Sequence, residues 1–249
     1  LTSRQIFNKI APVIQMQIVG ILNLTPDSFS DGGQNVEIAL QNLLPYSDII
    51  DVGAESTKPN ATPITADEEI CRLKYYLPLV DKIKVKSIDT YHVETAEFAL
   101  RHNFQIINCV KSDSLEDIFK VAGSSPVIAT FDKPFAPAVL KRFFENLIHL
   151  HQNIILDPGI GFNKSRAMDI AAMRCLPELC NFGKPVMIGL SRKRLVGYLT
   201  GKDISQRDLA SCSLSLYCAA QGVQYLRVHN ARLMAQLLEP VRALSTAVV

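Results

Sequence analysis

The stretch Asn153-Ile-Ile-Leu-Asp-Pro-Gly-Ile-Gly-Phe-Asn-Lys-Ser165 decides the architecture. Asn153–Asp157 is a short, near-continuous apolar run, the pattern of a parallel strand covered on both faces. It ends in an acid, after which Gly159 and Gly161 let the backbone turn sharply and approach a ligand. From Ser165 an amphipathic pattern continues to Leu179 and reads as a helix. The unit is thus strand, polar residue, loop, helix. Taken alone, its glycines imitate a phosphate loop only weakly, because they have neither Walker spacing nor a dinucleotide fingerprint.

The same unit recurs along the chain. The other strand candidates are Met16–Leu22, Asp48–Val52, Val85–Asp89, Phe104–Asn108, Pro126–Thr130, Pro185–Leu190 and Gln224–Val228. Helical patterns lie between them, at Ala66–Val80, His92–Leu100, Ala136–Leu150, Ser165–Leu179 and Ser205–Gln221. Thr65 followed by Glu68 fits a capping box. Eight β-then-α units in 249 residues favour a closed (β/α)8 TIM barrel over an open doubly wound sheet. With 48% hydrophobic residues, the chain can bury one large core, so a single domain over residues 1–249 is expected. The fifth strand is the least regular, crowded by Pro126, Pro134 and Pro137.

Composition removes several classes of function. The 26 basic and 24 acidic residues nearly cancel, and no basic run appears, so nucleic acid is not an expected partner. The six cysteines form neither a C-x-x-C pair nor the frame of a disulfide-rich secreted domain. Cys71, Cys175, Cys212 and Cys218 fall in predicted helices, where a free thiol acts as a small apolar filler. With no signal peptide and no 18-residue apolar run, a cytoplasmic protein without membrane contact is expected.

The polar residues obey one rule. Asn23, Asp51 with Glu55, Asp89, Asn108, Thr130 with Asp132, Asp157, Ser191 with Lys193, and Arg227 with His229 each follow a strand. In this barrel architecture, strand carboxyl ends form the face that carries the site. Any one of them is more simply a turn former or a helix cap; the set as a whole is not. Asp89, Asn108 and Asp157 offer acceptors and an amide suited to a flat heterocycle with amino and ring N–H edges. Lys193, Arg227 and His229 are cations of the kind that receive a diphosphate. No paired histidine and carboxylate is evident beside Ser191, which disfavours acyl transfer. His149 and His151 flank a helix end and read as surface residues rather than a metal pair.

These residues lie within longer motifs. Gly20-Ile-Leu-Asn-Leu-Thr-Pro-Asp-Ser-Phe-Ser-Asp-Gly-Gly33 resembles the first signature of dihydropteroate synthases, and Asp51-Val-Gly-Ala-Glu-Ser-Thr-Lys-Pro59 with Asp67-Glu-Glu69 is similar to the second. Ser87-Ile-Asp-Thr90, Ile107-Asn-Cys-Val110, Asp157 to Lys164, Ile188-Gly-Leu-Ser-Arg-Lys193 and Arg227-Val-His229 follow in the family's order. The resemblance spans residues 16 to about 232.

It implies condensation of a pterin diphosphate with p-aminobenzoate in folate biosynthesis. Asp89, Asn108, Asp157 and Lys193 would hold the pterin. Asn23 would ligate Mg2+, with Asn23, Arg227 and His229 on the diphosphate. Thr57, Pro59, Phe162 and Ser191 would form the p-aminobenzoate subsite. Asp27 and Asp31 on the first loop, and Thr57 and Lys58 on the second, would close over the substrates; without the family, Asp27 and Asp31 read equally well as solvated turn residues. Oxygen ligands without a His/Cys cluster suit a hard Mg2+. The family also implies a homodimer, for which Leu209–Ala220 is a candidate surface, and sulfonamides as inhibitors. Residue 1 is leucine, consistent with a piece of a longer, multifunctional folate-biosynthesis chain or with trimming.

Four departures stand out. Val127-Ile-Ala-Thr-Phe-Asp-Lys-Pro134 has no Met-His pair after strand five. Lys58 stands for a common arginine, Cys109 for an aspartate and Asn163 for a glycine. Two rivals stand beside this reading: a methyltetrahydrofolate-binding methyltransferase domain, which would keep Asp89, Asn108 and Asp157 on a similar pterin-binding barrel, and a catalytically silent pterin-binding paralogue. The first signature loop, Arg227 and His229 argue against the former. Cys109 and the altered fifth strand are the support for the latter.

Overall fold

The computed structural model describes residues 16–24, 34–56 and 62–246. Eight parallel strands form one sheet in the order β6-β5-β4-β3-β2-β1-β8-β7. They are β1 (Gln17–Asn23), β2 (Ile49–Gly53), β3 (Lys86–Asp89), β4 (Ile106–Cys109), β5 (Val127–Thr130), β6 (Ile154–Asp157), β7 (Met187–Gly189) and β8 (Tyr225–Val228). A bridge from Leu156 to Val186 brings β6 against the β7 segment, and the chain is a (β/α)8 barrel. The strands fall within a residue or two of the expected runs. β5 forms despite its prolines because Pro126 stands just before it and Pro134 beyond its end.

The helices in chain order are α1 (Gln34–Leu43), α2 (Ala66–Val80), α3 (Val93–Arg101), α4 (Leu115–Ala122), α5 (Pro137–Leu147), α6 (Arg166–Arg174), α7 (Leu176–Cys180), α8 (Arg194–Thr200), α9 (Asp208–Ala220) and α10 (Ala231–Thr246). α2 starts where the sequence places it, with Thr65 Oγ1 accepting from the Glu68 N–H at 3.2 Å. The reciprocal half of the capping box is not the contact seen for Glu68, whose carboxylate takes Arg72 at 2.6 Å. Two expected helices are corrected. Ser165–Leu179 is divided at Cys175, because Pro177 belongs to the first turn of a new helix. Ser205–Gln221 opens as a 3-10 turn at Ile204–Gln206, and the α-helix begins only at Asp208.

The core has two compartments. A large outer one lies between the strands and the helices. A small inner one contains Val19, Ile49, Ile106, Ile128, Ile155 and Met187, with Val85 and Tyr225 packed against it. That is one side chain from each of the eight strands, Val85 standing immediately before β3. These residues therefore identify the barrel-facing phase of every strand. Counting forward by two keeps that phase. The next inward positions are Ile21, Asp51, Ser87, Asn108, Thr130, Asp157, Gly189 and Arg227, and the ones after them include Asn23, Asp89, Ser191 and His229. An apolar plug thus closes the bottom, and the polar residues stack above it towards the carboxyl face.

All six cysteines are free, as expected. His151, read as a surface residue, is buried instead: its ring stacks on Phe119 with centroids 4.9 Å apart, and Nε2 pairs with the Ser125 carbonyl at 2.9 Å. Among the described residues, no helix is long and apolar enough to cross a membrane.

Candidate active site

Arg227 organises the polar layer. From β8 its Nε donates to Asp51 Oδ2 on β2 at 2.7 Å, and Nη2 donates to Asp89 Oδ2 on β3 at 2.7 Å. Asn108 Nδ2 on β4 donates to Asp51 Oδ2 at 2.8 Å. Because a carboxylate only accepts, this contact sets the amide's orientation and turns Asn108 Oδ1 elsewhere. Burial works against the guanidinium's charge, but Asp51 and Asp89 outweigh it and hold the pKa above its ordinary value. Burial pushes Asp89 up to about 7, against the opposing pull of Arg227 and with Asp51 adding repulsion. Asp51 links this network together, although the sequence marks it only as a strand-end residue that opens the second signature, with no ligand role.

Asp157 and Lys193 form the second half. Asp157 Oδ1 accepts from the Gly159 N–H at 2.8 Å. Gly159 has φ +66°, and a β-carbon there would lie 2.1 Å from the Phe131 carbonyl oxygen, so this position requires glycine. Gly161, at φ +82°, donates its N–H to Asp169 at 2.7 Å, fixing the rest of the loop. Lys193 Nζ donates to the Ile160 carbonyl and lies 4.8 Å from the centroid of Phe162. Burial lowers the Lys193 pKa to about 8, with Asp157 opposing the shift. Burial also raises Asp157, with Lys193 opposing. Lys164 props the same loop by donating to Phe131 and Phe162 carbonyls at 2.6 and 3.1 Å, and burial brings it down to about 8.

Ser191 Oγ accepts the His229 backbone N–H at 3.1 Å and pairs with the ring Nδ1 at 2.9 Å. Asn23 is exposed at the rim. Its Oδ1 and Asp89 Oδ2 both border Gly53, lying 3.9 and 3.7 Å from where a β-carbon on that glycine would stand. The structure therefore brings Asn23, Asp89, Asn108, Asp157, Phe162, Ser191, Lys193, Arg227 and His229 to one end of the barrel. Asp27, Asp31, Thr57, Lys58 and Pro59 lie outside the described residues.

Among the described residues, several buried polar atoms in this layer have no partner: Asp51 Oδ1, Asp89 Oδ1, Asn108 Oδ1, Ser87 Oγ and Thr130 Oγ1. Buried groups of this kind are costly unless a ligand or ordered water satisfies them. Three carboxylates (Asp51, Asp89, Asp157) face two cations (Arg227, Lys193), so the layer favours a ligand edge rich in N–H donors or carrying positive charge. Thr130 occupies the departure at strand five, in register with Asp157. Cys109, the other departure, faces the outer core; burial pushes its thiol up to about 12, which makes it an inert filler.

A second acidic group lies beside the site, joining Glu55 and Glu69 of the second signature to His92, which the sequence places only in a helical pattern. Ligand atoms of Glu55, Glu69 and His92 lie within 4.8 Å of one another. Glu55 accepts from Tyr91 Oη at 2.7 Å and from the Ile64 N–H at 3.3 Å, and pairs with His92 at 3.1 Å; Glu69 accepts from Thr90 at 2.7 Å. These bonds occupy both Glu55 oxygens and one of Glu69, so the group reads as a brace between the β2 and β3 loops. Burial raises the Glu69 pKa.

Comparison with known proteins places this geometry. Residues 19–229 match a family model described as pterin binding enzyme. A dihydropteroate synthase of Streptococcus pyogenes serotype M6 is 36% identical over 243 residues, 86% of this chain and 90% of that protein. The structure of Xanthomonas albilineans dihydropteroate synthase with 4-aminobenzoic acid superposes with a TM-score of 0.85 at 31% identity, over 95% of both chains. The same organism's enzyme in complex with 7,8-dihydropteroate gives a TM-score of 0.79 at 26% identity, again over 95% of both chains.

Proposed function

The chain belongs to the pterin-binding enzyme family as one of its dihydropteroate synthases, and from this premise we propose how its residues condense 7,8-dihydropterin-6-methyl diphosphate with p-aminobenzoate. The observation that carries the reading is the layer of Asp51, Asp89, Asn108, Asp157 and Arg227, with unpartnered buried acceptors on adjacent strands. A pterin presents amino and ring N–H groups along one edge, which complement those acceptors.

Breaking the methylene–oxygen bond releases diphosphate with the electron pair and leaves positive charge on the pterin. The p-aminobenzoate nitrogen then bonds to the methylene and gives up a proton. Asp89 and Asp157 stabilise the cationic pterin beside Lys193, while His229 would contribute to binding the departing diphosphate. Arg227 is held back by Asp51 and Asp89; a diphosphate would compete with these carboxylates for its guanidinium. Ser191 and Phe162 flank Lys193 and form the described part of the p-aminobenzoate subsite.

Mg2+ would be held at the rim by the hard amide oxygen of Asn23, which borders Gly53 as Asp89 does. Bound there, the ion would neutralise the leaving diphosphate. The family setting and the free cysteines support a cytoplasmic enzyme. A homodimer is also proposed. Cys212 and Cys218 are buried and belong to the barrel's own packing, whereas Leu209 and Tyr217 on α9, with Leu199 on α8 and Ile204 between them, are exposed. Leu209→Glu should therefore convert a dimer to a monomer in light scattering; a monomeric wild type would refute this surface.

The deciding experiment measures dihydropteroate and pyrophosphate formation with each substrate or Mg2+ omitted in turn. Product that needs all three is the expected result. Saturable pterin binding without product would instead identify a silent paralogue, the one alternative that the strand-five departure favours.

A further inference from the structure

The β7–β8 ladder ends at the pair Gly189 and Arg227. Ser191, Lys193 and His229 lie beyond it, where no strand pairing fixes their positions. We infer that Asp208, at the start of α9, is a positioning residue that locks the β7 and β8 loops together and so sets these three side chains in the barrel mouth. The inference rests on the reading of Ser191, Lys193 and His229 as substrate ligands.

The central observation is Arg192, between Ser191 and Lys193. It is not glycine, yet it has φ +60°, in the left-handed region. That turn aims its neighbours inward while its own side chain points away. The first turn of α9 meets each of its polar groups. Asp208 Oδ1 accepts from Arg192 Nε at 2.7 Å and Oδ2 accepts from Nη2 at 2.9 Å, a two-pronged contact of fixed geometry. Ser211 Oγ accepts the Arg192 N–H at 3.1 Å, and Arg207 Nη1 donates to the Arg192 and Lys193 carbonyls at 3.1 and 3.4 Å.

The same carboxylate reaches the other loop. Asp208 Oδ2 accepts from Asn230 Nδ2 at 3.2 Å, next to His229, and Asn230 Oδ1 caps α10 by accepting the Leu233 N–H at 3.0 Å. On the site side, the loops meet through Ser191 and His229. One carboxylate behind the site therefore ties together the loops whose front faces carry the ligands. Asp89, Asn108 and Asp157 stand on strands and are independent of this tie.

The test uses the full chain. Asp208→Ala should lower kcat/KM for p-aminobenzoate by about 30-fold, the scale of a small misplacement of reacting groups. Affinity for 6-hydroxymethylpterin, held by Asp89, Asn108 and Asp157 on strands with Lys193 as its one contact on the tied loop, should fall less, by under about tenfold. Arg192→Gly adopts the positive φ without the strap, so adding Asp208→Ala to it should cost less than about threefold more. Hydrogen exchange at residues 191–194 and 229–230 should rise in Asp208→Ala while β3 and β6 are unchanged. Should that variant not fold, the isosteric Asp208→Asn is read the same way.

Wild-type-like turnover in both Asp208 variants would overturn the inference. So would an undiminished loss in the Arg192→Gly background. A wild type that makes no dihydropteroate defeats the functional reading instead; the exchange measurement then decides the brace, and unchanged exchange refutes it.

Discussion

Asp157→Asn should separate catalysis from folding. Asp157 is only 5% exposed, and its Oδ1 accepts the Gly159 N–H at 2.8 Å. Asparagine has the same shape and its amide oxygen can keep that bond, so the loop survives while the charge goes. Losing one charged contact to a developing cation costs about 2–4 kcal/mol of barrier. At 1.36 kcal/mol per decade, this is roughly a 30- to 1,000-fold fall in kcat/KM.

Stability should move the other way. Burial raises the Asp157 pKa above its ordinary 3.8, with Lys193 opposing, so ionisation is harder in the folded chain than in the unfolded one. The stability associated with the protonated form is complete below the unfolded value and is lost as pH rises through the folded pKa. Asp157→Asn should therefore be at least as stable as wild type at pH 8, and that advantage should shrink towards pH 4. The assay pairs steady-state dihydropteroate formation with urea unfolding at both pH values. Turnover within about threefold of wild type would refute the site. Activity and stability falling together would refute the reason given for it.

Further expectations follow from the same layer. Lys193, lowered to about 8 by burial with Asp157 opposing, serves as a cation, so kcat/KM should decline as pH rises through that value. Lys193→Arg should be slower near neutrality but should lack that alkaline decline, because a guanidinium stays protonated; a pH profile of both proteins checks this. Thr130→Val removes a buried hydroxyl without a partner among the described residues, and should raise unfolding stability by about 1 kcal/mol. If the hydroxyl meets the pterin, titration should also show the variant's affinity for 6-hydroxymethylpterin reduced about fivefold or more, one hydrogen bond's worth. A sulfonamide should raise the apparent KM for p-aminobenzoate without displacing a bound pterin; displacement of pterin in an equilibrium titration would contradict the subsite assignment.

Much of this protein was legible in one dimension because the governing rules are local. Strands alternate faces every two residues, and a parallel strand carries its chemistry at its carboxyl end. Val19, Ile49, Ile106, Ile128 and Ile155 could be read as apolar strand positions, and Asp51, Asn108, Thr130 and Asp157 follow two residues after four of them. The eightfold unit, the carboxyl-face site and the strand-end candidates Asn23, Asp89, Asn108, Asp157, Ser191, Arg227 and His229 follow from those rules, whereas Phe162 and the individual roles are what the family resemblance implies. Strand phase is also a signal that Asp51 and Thr130 face the barrel interior.

What the sequence could not decide is which polar groups satisfy one another. Arg227 meets Asp51 and Asp89 across 176 and 138 residues, and Ser191 meets His229 across 38. His151 is buried because Phe119 and the Ser125 carbonyl come to it from another part of the chain. The end of α6 depended on a proline one turn later, and Asp208 acquired its role only when α9 packed behind two loops. Local patterns set by backbone periodicity survive in a linear string; ion pairs, burial and bracing depend on which strands barrel closure brings together, and only the tertiary structure decided those.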